Sequence, residues 1–351
     1  MRRSRAFVAA WVTAGAVVAG AVAVTAALVL TSTSSGAGLS GIKAATPATT
    51  VAPGIAPAVS AHGAYIGAYV QPADYSQPGR IAALRAFQSE LGRRLDIVHQ
   101  YVRWDAPFPT PSESAMMRQG STLLLSWAGA DTRSIATGQY DRLIRQRARA
   151  IKATHRPVFL EWRWEMNRIA LESEIHSPHD FVAAWDHIRS IFTRLRVRNV
   201  AWVWCPSSHG FGQVSRWVRP SASFYPGNSE VDWLCADVYP LGGEYRSFAS
   251  LVRPFLAWAS HINKPILIGE YGAPRTYTPQ QRAQWLRGVA QTAREDSQIK
   301  GLVYFDGDPP GNLTVMQYAL DAGSAPFTAF RAIADEPYFN PERSRVRERA
   351  G

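Results

Sequence analysis

The chain has only two cysteines in 351 residues, too few for the disulfide framework on which small secreted domains depend. It has 8 histidines, none in the H-E-x-x-H spacing that puts two imidazoles on one helical face. His176 and His179 fall at a helix start, where capping or solvent exposure accounts for them. No catalytic metal is expected. No Walker or dinucleotide glycine loop follows a strand-like run, so no phosphate-bearing cofactor, and no cofactor of any other kind, is expected. Ser208-His209-Gly210 lacks the G-x-S-x-G turn that would make the serine a hydrolase nucleophile. Helix-turn-helix, finger and RNP patterns are missing too, so no nucleic-acid partner is expected despite a formal net charge of +11. Part of that surplus sits at the ends, on Arg2, Arg3, Arg5 and the 343–349 stretch. Another part, Arg142, Arg145, Arg147, Arg149 and Lys152, reads as the solvated side of one helix.

Charge is missing altogether from residues 6–30. This run exceeds the roughly 7–15 residues of a signal-peptide core and reaches the roughly 20 that span a bilayer. Residues 1–31 are therefore expected to be a signal peptide or an N-terminal membrane anchor, with the arginines held inside. The protein is expected outside the cytoplasm or tethered to the outer face of the cytoplasmic membrane. Residues 32–61, rich in Ser, Thr, Gly, Ala and Pro, cannot bury a core and read as a flexible linker. Residues 62–335 form the expected folded domain, and 336–351 a basic tail. A monomer is expected.

Between the flanks, short β-rich runs alternate with amphipathic helical stretches eight times, which predicts an α/β fold of the (β/α)8 TIM-barrel type. The predicted strands are 65–70, 97–104, 122–127, 158–163, 200–204, 233–238, 266–269 and 302–305. Ser177-Pro178 with Asp180, and Thr278-Pro279, are polar caps followed by proline, and they place helices after strands four and seven. Cys235 shares strand parity with Asp237 and Tyr239, expected to face inward, whereas Cys205 is out of step with Trp202 and Trp204. Two buried thiols are therefore predicted rather than a disulfide.

In such barrels chemistry gathers where strands end, because the βα loops converge there. Strand four ends in Glu161-Trp162-Arg163-Trp164-Glu165-Met166-Asn167 and strand seven in Gly269-Glu270-Tyr271-Gly272, bringing two glutamates to one rim. Glycosidic cleavage needs such a pair, one carboxyl to protonate the leaving oxygen and one to attack the anomeric carbon. Structural pairing with arginine is the competing account of any inward carboxylate.

The blocks Trp162–Asn167, Trp202-Val203-Trp204-Cys205-Pro206, Tyr225-Pro226-Gly227, Val231-Asp232, Asp237-Val238-Tyr239, Lys264-Pro265 and Gly269–Gly272 together resemble glycoside hydrolase family 26. Thr137–Asp141 and Tyr304-Phe305-Asp306 add to the likeness. The resemblance implies a retaining endo-β-glycosidase acting on an extracellular polysaccharide, β-1,4-mannan by default, with mixed-linkage β-glucan or β-1,3-xylan as the family's other substrates. It makes Glu165 the acid/base, Glu270 the nucleophile and Tyr239 the tyrosine that hydrogen-bonds the nucleophile. It makes Tyr304 a platform under the sugar, with Trp127 near the same subsite. Asn167, Trp204 and Asp237 complete the expected substrate-binding set, core packing being the competing account for the tryptophans.

Two departures touch the site. Trp164 stands where the family has histidine, and Glu161 where it has arginine, while Arg168-Ile169-Ala170 replaces the usual Gly and Trp. By period-two alternation Arg163 shares a face with Glu161 and Glu165. Paired with Glu165 it would depress the pKa of a group that must hold a proton; paired with Glu161 it would not. The departures also leave open a non-catalytic polysaccharide-binding protein on a degenerate barrel.

Overall fold

A computed structural model describes residues 55–212, 216–241, 244–309 and 314–341. The predicted N-terminal anchor, most of the linker and most of the basic tail lie outside the described residues. Eight strands, β1 Tyr65–Val70, β2 Ile97–Val102, β3 Thr122–Trp127, β4 Val158–Trp162, β5 Val200–Trp204, β6 Trp233–Val238, β7 Ile266–Tyr271 and β8 Ile299–Asp306, close into a barrel in chain order. Every neighbouring pair is parallel, β8 returning to β1. Among the described residues the longer crossover helices are α1 Gln77–Leu91, α2 Pro111–Arg118, α4 Asp141–Ala153, α6 Pro178–Arg194, α7 Phe248–Ala259, α8 Pro279–Glu295 and α9 Ala325–Asp335, with short α3 Thr132–Ala136 and α5 Glu172–Ile175. None of the described helices is long and apolar enough to cross a membrane.

Local sequence sets the helix starts. The Ser177 side chain accepts from the backbone N–H of Asp180 at the head of α6, with proline entering the first turn. Thr278 and Gln281 form a reciprocal capping box at α8, satisfying two of the N–H groups a helix leaves open.

The sheet has two unlike faces because successive side chains alternate. Outward residues of β1 to β8 join the helices in one large core, including Trp127, Trp162, Trp202, Trp204, Ile268 and Tyr304. Inward residues form a smaller cluster of Ile97, Leu124, Phe159, Ala201, Val203, Cys205, Trp233, Cys235, Leu267 and Val303. This reverses the parity expected for β5. Trp202 packs on Trp185 and Phe192, and Trp204 on Phe211, Tyr225 and Trp258. A bulky indole fits between sheet and helices, whereas this part of the barrel interior takes alanine, valine and cysteine from β5. Cys205 consequently faces inward beside Cys235, and the two form a disulfide with Cα atoms 4.3 Å apart, correcting the prediction of two thiols. The register Val203↔Trp233, Trp204↔Leu234 carries one step further to that pair.

The domain is longer than predicted at both ends. Ala56 packs against the inner cluster and Ser60 is buried, so contacts with the barrel begin ahead of residue 62. Beyond α9, Phe339 is fully buried, the Tyr338 carbonyl accepts from Ala64 N–H at 3.0 Å, and Arg93 donates to the carbonyls of Ala334 and Phe339. Gly63, at φ +70, lies so close to Tyr338 that a Cβ there would sit 1.8 Å from its carbonyl oxygen. The return of the chain past the barrel floor needs glycine at that point.

Candidate active site

The mouth of the barrel is built by two local departures from regular strand. After β4, Arg163 and Glu165 adopt left-handed backbone angles, φ 54 and φ 48, a conformation costing roughly 1–2 kcal/mol for a non-glycine residue. Backbone bonds to both neighbouring strands hold the turn: Arg163 N–H to Trp127 O at 2.9 Å and Glu165 N–H to Cys205 O at 2.8 Å. On β7 the register passes from Ala236↔Ile268 to Asp237↔Glu270. The skipped residue is Gly269, whose Cβ would lie 2.5 Å from Cys235 Sγ and 2.9 Å from Cys205 Sγ. A bulge of this kind re-aims the next side chain. Glu270 thereby points into the barrel while Tyr271 keeps to the outer core.

Both oxygens of Glu270 are gripped. Tyr101 on β2 donates to Oε1 at 2.5 Å, and Tyr239, just past β6, donates to Oε2 at 2.8 Å. Glu270 is buried, and loss of water together with the negative charge of Glu165 raises its pKa to about 7; the two tyrosines and Arg168 pull the other way. Glu165 is half-buried and its Oε2 accepts from Arg168 Nη1 at 3.1 Å. Arg163 takes neither arrangement foreseen for it. Its guanidinium leaves the strand line and pairs with Glu174 at 2.7 Å, because the left-handed turn breaks the period-two alternation on which the expectation rested.

Aromatic rings gather round Glu270. Tyr69, Tyr239, Phe305 and Tyr318 cluster with Tyr101, and the half-buried Trp164 ring lies 5.2 Å from that of Tyr101. Tyr101, Tyr69 and Phe305 were missed in the sequence, although each stands next to last in its strand on the inward parity of Ile97, Tyr65 and Val303. That parity was available. Tyr318 arrives from a loop after β8 and left no signal.

Four expected substrate contacts are corrected. Trp127 is fully buried, stacked on Trp104 at 4.3 Å and bonded to its carbonyl. Trp204 donates to Phe224 O at 3.0 Å within the outer core. Tyr304 donates to Tyr318 O at 2.6 Å and packs on Tyr271 and Phe330; its neighbour Phe305 holds the inward position. Asn167 is fully buried as a loop brace, donating to Ser221 Oγ at 2.9 Å and accepting from Ser207 N–H at 3.0 Å. Alternation sends the first three outward, and the Asn167 amide is used up on loops that cross beneath it.

Asp237 lies deeper than expected, fully buried below the rim together with Glu161, Ser126 and His99. Ser126 Oγ donates to Glu161 Oε2, and His99 Nε2 is 2.6 Å from Ser126 Oγ. Burial, and the charge of Glu270 next, push the carboxyls of Glu161 and Asp237 well above the ordinary range. Burial pulls His99 down to about 3, so the imidazole is neutral and gives no compensating charge.

Barrel, bulge and paired rim glutamates define a (β/α)8 scaffold with two carboxyls at its mouth. No family model matches the chain. Over 290 residues it is 28% identical to Endoglucanase H of Acetivibrio thermocellus, covering 75% of this chain and 31% of that protein. Over 185 residues it is 25% identical to Beta-1,3-xylanase TXYA of a Vibrio species, covering 48% of this chain and 35% of that one. The chain thus spans about a third of the length of these curated relatives. A GH26 β-mannanase from Bacteroides ovatus superposes with a TM-score of 0.57 at 14% identity, over 79% of this chain and 90% of that one. The GH26 domain of an endo-β-mannanase/endo-β-glucanase from Prevotella bryantii gives 0.55 at 12%, over 80% and 90%. The chain has a GH26-like fold.

The buried acids set a pH dependence of stability. Their unfolded values are 3.8 for Asp237 and 4.5 for Glu161, and their folded values are higher. Below the unfolded values both states hold the protons and burial costs no charge. As pH rises the unfolded chain sheds protons that the native barrel keeps, so this contribution to stability is lost progressively toward the folded pKa. Glu161→Gln is expected to make the decline above the ordinary value of 4.5 shallower, measured as urea midpoints across the pH range in which the barrel stays folded. An unchanged slope would mean that Glu161 is not held protonated.

Proposed function

We propose that this chain is a retaining endo-β-glycosidase that cleaves a β-linked polysaccharide outside the cytoplasm, with Glu165 as acid/base and Glu270 as nucleophile. The observation that carries this reading is the grip of two tyrosines on both oxygens of Glu270, at a barrel mouth shared with Glu165. Phenol donors favour the ionised form of the carboxylate and fix its plane, which a nucleophile needs. In the first step Glu165 gives its proton to the glycosidic oxygen as a Glu270 oxygen bonds to the anomeric carbon. In the second, Glu165 takes a proton from water, which displaces Glu270. Retention requires the carboxyls to stand about 5–5.5 Å apart.

Exposed apolar side chains support a polymeric sugar substrate. Tyr75, Ile169, Trp217, Leu241 and Tyr245 are exposed, and all follow strand ends on βα loops, the side from which substrate enters. Rings on such loops offer flat surfaces to pyranose faces. We assign β-1,4-mannan as the substrate, in keeping with the mannanases that share the fold. The endoglucanase relative, at 28% identity, favours β-glucan as the second reading. The uncharged 6–30 run behind three arginines supports an exported protein held at the membrane by its N-terminus.

Incubation with mannan, glucomannan, lichenan, laminarin and xylan is expected to release reducing sugar from mannan first, with the β-anomer formed initially by NMR. Glu165→Ala and Glu270→Ala are expected to lower kcat by more than about 100-fold. Binding without cleavage, unaffected by either change, would instead mark a polysaccharide-binding barrel.

Tyr101→Phe removes a donor that lowers the Glu270 pKa, so the nucleophile becomes harder to ionise. The acidic limb of the kcat/KM profile, expected near pH 7 because burial and Glu165 raise the Glu270 carboxyl that far, should move to higher pH. A drop in rate with an unmoved limb would leave Tyr101 a packing role only. Fractionation of cells expressing the full chain should find it with membranes, and deletion of residues 6–30 should retain it in the cytoplasm; a full chain that stays soluble inside the cell would refute the anchor.

A further inference from the structure

Directly below Glu270, three adjacent strands aim four chemically unusual side chains at one point. Glu161 comes from β4, Cys205 from the end of β5, and Cys235 and Asp237 from β6, and one donor atom of each lies within 4.8 Å of all the others. All four residues are fully buried. Glu161 Oε1 and Asp237 Oδ2 have no hydrogen-bond partner, and among the described residues no Lys or Arg pairs with either carboxylate. Buried acids in native proteins normally find a hydrogen bond, a counter-charge or a metal. The one base at hand is the imidazole of His99, 3.8 Å from Glu161 Oε2; a cation seated between the two carboxylates would have to come from outside the chain.

The donor set names the cation. Two sulfurs and two carboxylate oxygens are the ligands of tetrahedral zinc, with Zn–S about 2.3 Å and Zn–O about 2.0–2.2 Å, so donors round one ion fall within about 4.6 Å of each other. Joined as a disulfide, the sulfurs are neutral and bonded to one another; as thiolates they are strong ligands. The Cα atoms of Cys205 and Cys235 are 4.3 Å apart on neighbouring strands, close enough for both sulfurs to reach one ion once the S–S bond is absent. An outer layer is in place, since Ser126 donates to Glu161 and His99 abuts Ser126, the kind of support that orients ligands in metal sites.

We propose that this layer has two alternative closures, the Cys205–Cys235 disulfide when the chain folds oxidised, and one structural zinc ion held by Cys205, Cys235, Glu161 and Asp237 when it folds with its thiols reduced. The disulfide and the zinc-free dithiol differ by two electrons and two protons. A dithiol reductant supplies both, the S–S bond breaks, two thiols form, and the dithiol closes into its own cyclic disulfide. Zinc then displaces the thiol protons and those the carboxyls carry. The site lies under the rim rather than in it, so it stands independently of the proposed hydrolysis.

The test compares the full chain produced in a thiol-reducing cytoplasm and kept in dithiol with the same chain produced under oxidising conditions. Zinc is measured by inductively coupled plasma mass spectrometry after free metal is removed. The expected result is one zinc per chain in the reduced protein, released in step with mercurial titration of two thiols, and none in the oxidised protein. Cobalt substituted in the reduced protein should give thiolate-to-metal charge-transfer absorption. Glu161→Gln and Asp237→Asn should weaken retention by more than about tenfold. Reduced protein with native circular dichroism and no zinc would overturn the proposal, as would zinc retained in a folded Cys205→Ser/Cys235→Ser variant. The comparison of redox states needs no substitution, so a variant that fails to fold leaves the test intact.

Discussion

A carboxylate inside a closed barrel has lost its water and can recover the energy only from donors, protons or cations brought by the chain or by a ligand. That constraint organises the upper half of this molecule. Glu270 recovers part of the loss from two phenols, and its pKa rises only to about 7. Glu165, nearer solvent, is met by Arg168 from the following loop. Glu161 and Asp237, deeper and without an arginine, are driven to hold their protons. Ionisation thus varies down the barrel axis with distance from water and with the donors at each level.

The backbone irregularities serve the same arrangement. A regular β7 would send Glu270 to the helix layer, where Tyr271 and Ile268 already pack. The skipped Gly269 prevents that, and it has to be glycine because the disulfide sulfurs occupy the place of a side chain. The left-handed turn at Arg163 and Glu165 turns one charge toward Glu174 and the other toward the rim. Local strain, the disulfide beneath and the acid pair above are therefore parts of one packing solution. A change in any of them alters where a carboxylate points.

Much of this was legible in the chain. β1, β3, β5 and β6 have the bounds their β-rich runs predicted, and the caps at Ser177 and Thr278 stand at the helix starts they marked. Hydrophobic period and capping chemistry are local, so they survive transfer into any fold that contains them. The face of a strand is not local. Alternation says that Trp204 and Cys205 point opposite ways, yet not which one meets the helices. The size of the space decides, and on β5 it put the indoles outside and the sulfur within, while Trp233 of β6 lies inside.

By itself the sequence determined the eight strands, the placing of glutamates at the ends of β4 and β7, and the uncharged N-terminal run, although the β5–β6 crossover holds only short 3-10 turns among the described residues. These depend on residue order and side-chain type alone. Tertiary structure decided the pairing of Cys205 with Cys235, the partners of Arg163 and Arg168, and the second tyrosine on Glu270. It also decided the burial of Trp127, Trp204, Tyr304 and Asn167 away from the rim. Each of these depends on which strands become neighbours and how much room lies between them. Both are properties of the closed barrel and of no single segment, since closure brings β2, β6 and β7 round one axis.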